Sequence, residues 1–294
     1  MSYENFVPSV FSSTILKALR AHTVWAKGCH NEYTGKITEA GDKITFRSMG
    51  DPTVHTVAFA DRNNDIADPE MLETGSLDLE IRQIRTLNFL VGDIDAKIAE
   101  GSLMTLAKEN VPMVLADDMD QYIARLGTVN MHNGQSPLFS ASPIRVARGA
   151  SSATQKNPLD LIDDLVEALS DNNVPESAKL EMIVPPKFYK LVKQEYRELD
   201  TDNSEMISTG RVGRYNRVSI VQSTNCYKNE GVYHLCIRTP RYIGMADALT
   251  KVEAYRPEKK FADAVKGLHL YDAKIIREKE GFFVPVTMEA AAST

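Results

Sequence analysis

The spacing of hydrophobic residues along this chain switches between two periods, and each switch marks a different element. Leu77, Leu79, Ile81, Leu87, Phe89 and Val91 all fall on odd positions, the period of two that lines one face of an extended ribbon. Upstream, "GKITEAGDKITFRS" has strand character, with Ile44 and Phe46 on one face. Between them, "MGDPTVHTVAFADRNNDIADPEMLET" is rich in Gly, Pro, Asp and Asn and weakly periodic. Residues 34–92 therefore predict a long β-hairpin with an extended tip. An isolated hairpin is marginal in water, and loops beyond ~12–15 residues in compact domains usually carry function. The ribbon thus predicts a partner that covers it.

After Asp93 the period becomes helical. Val111, Leu115, Met119, Tyr122, Ile123 and Leu126 lie on one stripe, preceded by Leu103, Leu106 and Ala107. From Leu103 to Leu126 such a helix extends roughly 35 Å at 1.5 Å per residue. Asp93 reads as its N-cap, Pro112 predicts a kink or restart near Asn110, and Gly127 predicts its stop. Residues 127–156 are rich in Gly, Ser, Asn and Pro and read as a long connection with a short strand.

A new unit then begins. Asn157 and Pro158 have the residue types of an N-cap and first helical position, with Asp160 in the first turn. Leu159, Ile162, Leu165, Val166 and Leu169 form the apolar face that follows. "KLEMIVPP" reads as a buried strand, "PKFYKLVKQEYREL" as a second helix, and "RVSIVQSTN" and "GVYHLCIRTP" as strands. The alternation predicts a small α/β unit. The tail from Leu249 is strand-like, with Leu268, Leu270, Ile275 and Ile276 as its apolar residues. Residues 1–33 carry only a short helical pattern (Val10, Phe11, Thr14, Ile15, Ala18, Leu19), too short to own a core, and read as an arm that docks elsewhere.

Composition narrows the function. At 294 residues with 43% hydrophobic and 25% charged residues, the chain can bury a sizeable core. A net charge of −6 argues against a dedicated nucleic-acid binder. Three cysteines (Cys29, Cys226, Cys236) are odd in number and too few for a disulfide framework, which favours a reducing compartment. No apolar run approaches the ~18 residues of a membrane span, and the N-terminus lacks a signal-peptide pattern. The chain reads as soluble and cytoplasmically made.

Motifs for chemistry are weak. "STGRVGRYNRVSIVQSTN" contains Gly210-x-x-Gly213, but it precedes a strand, whereas phosphate loops follow one and open a helix. The glycines read as turn residues, and Arg211, Arg214 and Arg217 as intersubunit or solvent-facing charges. The six histidines are scattered, with no metal-ligand spacing. Cys226 and Cys236 could meet across a hairpin, though buried thiols are the commoner outcome. Asp117, Asp118 and Asp120 invite a paired-carboxylate reading, set against a solvated helix face. No G-x-S-x-G is present. No catalytic residue, cofactor or metal is expected.

Four segments in order carry a resemblance. "NFVPSVFSSTILKAL" with "VWAKGCHNEYTGKITEAGDKITFRSMGDPTV" resembles the N-terminal arm and first hairpin strand of tailed-bacteriophage major capsid proteins with the Hong Kong 97-type fold. Gly41, Asp42, Ile44, Gly50, Asp51 and Pro52 match that family's recurrent strand. "LNFLVGDIDAKIA" resembles its return strand entering the spine helix, "STGRVGRYNRVSIVQSTN" an axial-domain strand, and "KVEAYRPEKKFADAVKGLHLYDAKII" its closing peripheral strands. Two positions depart: Asn216 stands where Gly is frequent, and Asp272 where "YGAK" is common. Both would fit as left-handed turn residues.

The resemblance implies an α+β chain in five parts: an N-terminal arm (1–33), an extended loop (34–92), a peripheral domain with the spine helix (93–156), an axial domain (157–244) and return strands of the peripheral domain (245–294). It implies self-assembly through pentamers and hexamers into an icosahedral shell around double-stranded DNA that is held non-specifically. The expected partners are further copies of the chain, a scaffolding protein, a portal and a decoration protein, with no membrane. Its place is the virion, assembled in the bacterial cytoplasm; the start at Met1 favours a separate scaffold. The expected intersubunit contacts are Asp51, Pro52, His55, Phe59, Arg62, Leu77, Leu79, Ile81, Arg211 and Arg214. Rival readings are an encapsulin-like shell around a cargo enzyme and, from another class, a soluble α/β enzyme using Asp117 and Asp120.

Overall fold

The structure, a computed structural model, describes residues 23–31, 43–49, 53–56, 68, 70–71, 74–92, 103–130, 143–152, 155–197 and 213–288. Its strands are β1 (Lys43–Met49), β2 (Thr74–Glu80), β3 (Gln83–Gly92), β4 (Ile144–Val146), β5 (Ser151–Ser152), β6 (Gln155–Lys156), β7 (Leu180–Val184), β8 (Arg214–Tyr215), β9 (Val218–Gln222), β10 (Lys228–Asn229), β11 (Val232–Arg238), β12 (Ile243–Tyr255), β13 (Ala262–Ile275) and β14 (Gly281–Met288). The helices are α1 (Leu103–Asn130), α2 (Pro158–Asp171) and α3 (Pro186–Tyr196).

The largest sheet runs β5-β6-β4-β14-β11-β7-β9-β8, with β10 paired to β11. Its central strands are apolar in unbroken runs because both faces are covered. Met182, Val184, Leu235, Ile237, Val284 and Val286 point into a core with Ile162, Leu165 and Leu169 of α2 and Phe188 and Val192 of α3. Their neighbours Ile183, Cys236 and Phe283 point the other way, toward Leu115, Met119 and Ile123 of α1. The expected α2 cap holds: Asn157 Oδ1 accepts the Leu159 N–H at 2.9 Å, with Pro158 in the first turn.

A second sheet has the order β12-β13-β3, and β1 pairs with β2 as a separate two-stranded hairpin. The single ribbon expected over residues 77–91 is therefore two strands with different partners. β2 pairs with β1, ending at Glu80 opposite Lys43, and β3 pairs with β13, beginning at Gln83 opposite Tyr271. The parity of the apolar positions continues across Ile81–Arg82, but the partner changes there. Strands within residues 144–156 and 281–288, expected in the peripheral part, pair into the larger sheet.

α1 is one helix of 28 residues that contains Pro112 and runs past Gly127 to Asn130. Neither the restart nor the stop occurs. Gly127 instead allows a close approach, since a Cβ there would sit 2.3 Å from Cδ1 of Phe283. For Leu103, Leu106 and Ala107 only the backbone is described, and Asp93 and the residues 1–22 lie outside the described residues. The segment 23–31 docks as a strap. Trp25 is fully buried and stacks on Phe283 at 6.2 Å, and the strap bridges to the edge of β12 through His30 N–H to Ile243 O at 2.8 Å. Arg238, itself fully buried on β11, donates to Trp25 O at 2.6 Å and to Glu181 Oε2 at 3.3 Å, with its guanidinium over the Trp25 ring.

Candidate assembly surface

Two surfaces could bind another chain: the hairpin, and the outer face of the β12-β13-β3 sheet on which the hairpin's base rests. Ile44 and Phe46 of β1 pack with Leu79 and Ile81 against Ala246 of β12 and Leu270 of β13. Leu79 is 2% and Ile81 1% exposed. Both side chains, expected as intersubunit contacts, are sealed within the subunit by its own sheet. Leu77, next outward on the same face, is half-buried.

Beyond that base the surface opens. Thr53 to Thr56 are exposed, His55 among them, with Val54 89% and Met71 97% exposed. The Thr53 N–H donates to the Glu70 carboxylate, which holds the Glu70 pKa below its ordinary value. The two sides of the hairpin thus meet again past the ends of its strands. Asp51, Pro52, Phe59 and Arg62 lie outside the described residues.

On the sheet, β3 carries apolar residues on both of its faces. Leu87 and Phe89 pack on the α1 core, while Ile84 and Leu90 are 49% and 45% exposed on the other side. Lys266 bridges Glu253 at 2.8 Å, and the Tyr255 hydroxyl donates to Asn88 Oδ1 at 3.3 Å. A shallow pocket of about 420 Å³ opens among Thr86, Asn88, Glu253, Lys266 and Leu268. A half-covered apolar face with satisfied polar groups around it suits contact with another chain. Sequence parity pointed to the odd positions; Ile84 and Leu90 on even ones were the signal that β3 has a second apolar face.

The "STGRVGRYNRVSIVQSTN" loop divides. Gly210 and Arg211 lie outside the described residues. Arg214 is exposed on β8. Left-handed conformations fall on Asn216 (φ 40) and Arg217 (φ 57) rather than on Gly213, so these two residues form the β8–β9 turn. Asn216 thus behaves as expected. Asp272 does not: it lies in β13, paired with Ala246 and 6% exposed.

The acidic run on α1 does not converge on a reaction centre. Asp117 accepts from Asn225 Nδ2 at 2.9 Å, and Asp118 from Arg85 Nε at 2.7 Å and the Tyr271 hydroxyl at 2.6 Å. Asp120 is 1% exposed and accepts the N–H groups of Val24, Trp25 and Ala26 at 2.8, 3.1 and 3.2 Å. The expected solvated face is corrected at that position. Burial pushes its pKa up to about 6 against the lowering effect of the three N–H donors and Arg238. The three thiols are free and buried, with their pKa values raised by that burial, Cys226 to about 12. Among the described residues no group of three His, Cys, Asp or Glu side chains could hold a metal ion, and no helix is long and apolar enough to cross a membrane.

No family model and no curated protein matches the sequence. Solved structures do match its fold. A chain of Mycobacterium phage Che8 is 21% identical with a TM-score of 0.66, over 89% of this chain and 90% of that one. The capsid of cyanophage P-SCSP1u is 14% identical with a TM-score of 0.65, over 92% and 89%. A virus-like particle from Pyrococcus furiosus is 13% identical with a TM-score of 0.53, over 94% and 98%. The chain has the Hong Kong 97-type capsid fold.

Proposed function

We propose that this chain is the major capsid protein of a tailed phage, assembling through pentamers and hexamers into the icosahedral head shell. The observation that carries the reading is the likeness to phage capsid chains over about nine-tenths of both chains, with the hairpin present as a separate two-stranded unit. In this reading the outer hairpin lies over a neighbour's sheet, on the face that carries Ile84 and Leu90. The apolar ends Val54 and Met71 would be covered in the same contact, and repeated head-to-tail contacts close into rings. His55 on the outer hairpin and Arg214 on β8, at the end of the larger sheet, remain candidate contacts. The work of the chain is structural, with no catalytic step.

Packaged double-stranded DNA is held non-specifically, which the net charge of −6 favours because a basic shell would grip phosphates. A scaffolding protein, a portal and a decoration protein are the further partners, and the virion is the place of action. The encapsulin-like reading draws on the virus-like particle, whose TM-score of 0.53 is below the phage values of 0.66 and 0.65. Electron microscopy of the purified chain tests the proposal: closed shells or ring capsomers are expected, and a stable small monomer refutes it. Copurifying enzyme cargo inside the shells would decide for the encapsulin-like alternative.

A further inference from the structure

Among the described residues, Ile81 and Arg82 are the chain link between the hairpin and the three-stranded sheet, since β2 ends at Glu80 and β3 begins at Gln83. The hairpin's base also rests on that sheet through Ile44, Phe46 and Leu79, and Lys274 Nζ donates to Asp78 O at 3.0 Å. The Arg82 N–H donates to Asp272 Oδ2 at 3.0 Å. The other oxygen, Oδ1, accepts the Tyr122 hydroxyl at 2.6 Å and the Ala273 N–H at 2.8 Å. One carboxylate thus ties the joint, helix α1 and strand β13. Gln83 pairs with Tyr271, so Asp272 lies one residue past the end of β3, where the sheet edge is open to both joint and helix. Tyr122 is braced in turn: its ring meets Tyr271 edge-on at 5.5 Å, and its phenol pKa is raised by burial and by Asp272, so the hydroxyl remains a donor.

Strand pairing with Ala246 asks nothing of the Asp272 side chain. A carboxylate kept 6% exposed is costly unless its oxygens are satisfied, and here the donors come from three elements. We propose that Asp272 is a positioning residue that clamps the Ile81–Arg82 joint and so sets the angle at which the hairpin leaves the subunit. The inference rests on the assembly reading, because that angle decides where the outer hairpin meets a neighbour. A strand of seven residues spans ~23 Å at about 3.3 Å each. At that length a tilt of about 10° at the joint moves the far end by roughly 4 Å, enough to unseat a packed contact.

The test uses the full chain, spin-labelled at Ser76→Cys on the hairpin and Gln121→Cys on α1 and diluted with unlabelled chain. The buried native thiols leave the two exposed sites to the label. In the native background a single narrow distance distribution is expected. Asp272→Ala should broaden it at least about twofold, and exchange of the Arg82 amide should accelerate about tenfold for the loss of one half-buried hydrogen bond. Asp272→Asn keeps an acceptor for Arg82 and should restore most of the narrowness, whereas Asp272→Val, which refills the volume without an acceptor, should not; rescue by Val would mark a packing defect and overturn the clamp. Protection of α2 amides serves as the fold control. Tyr122→Phe, which keeps the ring and the carboxylate, should broaden the distribution in the same direction and covers the case in which Asp272→Ala fails to fold. An unchanged width in a folded Asp272→Ala variant, or in Tyr122→Phe when that variant is lost, overturns the clamp. Failure of the unsubstituted chain to form shells refutes the assembly reading and leaves the distance result standing.

Discussion

Replacing Asp120 with Asn probes the strap and the electrostatics of its anchor together. The carboxylate is buried under residues 23–31, where loss of hydration opposes charge and three N–H donors with Arg238 favour it. Burial dominates, and the pKa rises from 3.8 to about 6. The folded chain therefore holds this proton more tightly than the unfolded chain does. Its contribution to stability is fully present below about pH 4 and is lost as pH rises through 6. A difference of about 2 on the pH scale corresponds to roughly 3 kcal/mol.

Asn cannot titrate, and it removes that dependence while offering one acceptor oxygen in place of two. An N–H group left without a partner costs on the order of 1–3 kcal/mol, a penalty that does not change with pH. The measurement is urea unfolding of native and Asp120→Asn chains at several values from about pH 4 to pH 7. The native chain should hold its largest advantage near pH 4 and lose roughly 3 kcal/mol of it by pH 7. A flat difference, or one that grows with pH, would refute the reasoning and mean that the N–H donors and Arg238 outweigh burial.

Other substitutions follow from the packing. Gly127→Ala should lower the melting temperature: Ala favours the helix by about 1 kcal/mol, but its Cβ would lie 2.3 Å from the Phe283 ring, and overpacking costs typically 1–3 kcal/mol. A melting temperature equal to or above native would contradict the close approach. Leu79→Ala should destabilise the unassembled subunit by ~2–5 kcal/mol as a buried cavity, measured by urea unfolding. Normal subunit stability with loss of shells alone would return Leu79 to the intersubunit surface.

Local signals were legible where one segment determines its own geometry. Asn157-Pro158 marked the start of α2, "KLEMIVPP" marked a buried strand and "GVYHLCIRTP" a further strand. What sequence could not supply was the identity of partners. Odd-position apolar residues from Leu77 to Val91 describe one face equally well whether the ribbon pairs with one strand or two. At the switch the Arg82 N–H meets Asp272, 190 residues away along the chain. Gly127 carried the usual sign of a helix end because a glycine needed for a tertiary approach looks the same in sequence. The departure at Asp272 was visible, yet its left-handed reading failed because the residue continues a strand instead of turning one.

The acidic run of α1 illustrates why carboxylate spacing alone misleads. Asp117 serves Asn225, Asp118 serves Arg85 and Tyr271, Asp120 serves the strap, and Tyr122 reaches Asp272 at the joint. Within six positions one helix fastens four separate parts of the chain. One of those fastenings ends on backbone N–H groups that sheet pairing leaves without acceptors, at Val24–Ala26, and Asp272 of β13, which Tyr122 reaches, accepts another at Arg82. Buried N–H groups of that kind must find partners, and a carboxylate, with two acceptor oxygens and a charge, satisfies several at once. Clustered acids on this helix hold a strap that lacks a core of its own, together with the sheet edge beside it. The same residues that suggested a catalytic pair, Asp117 and Asp120, fasten the Asn225 turn and the strap.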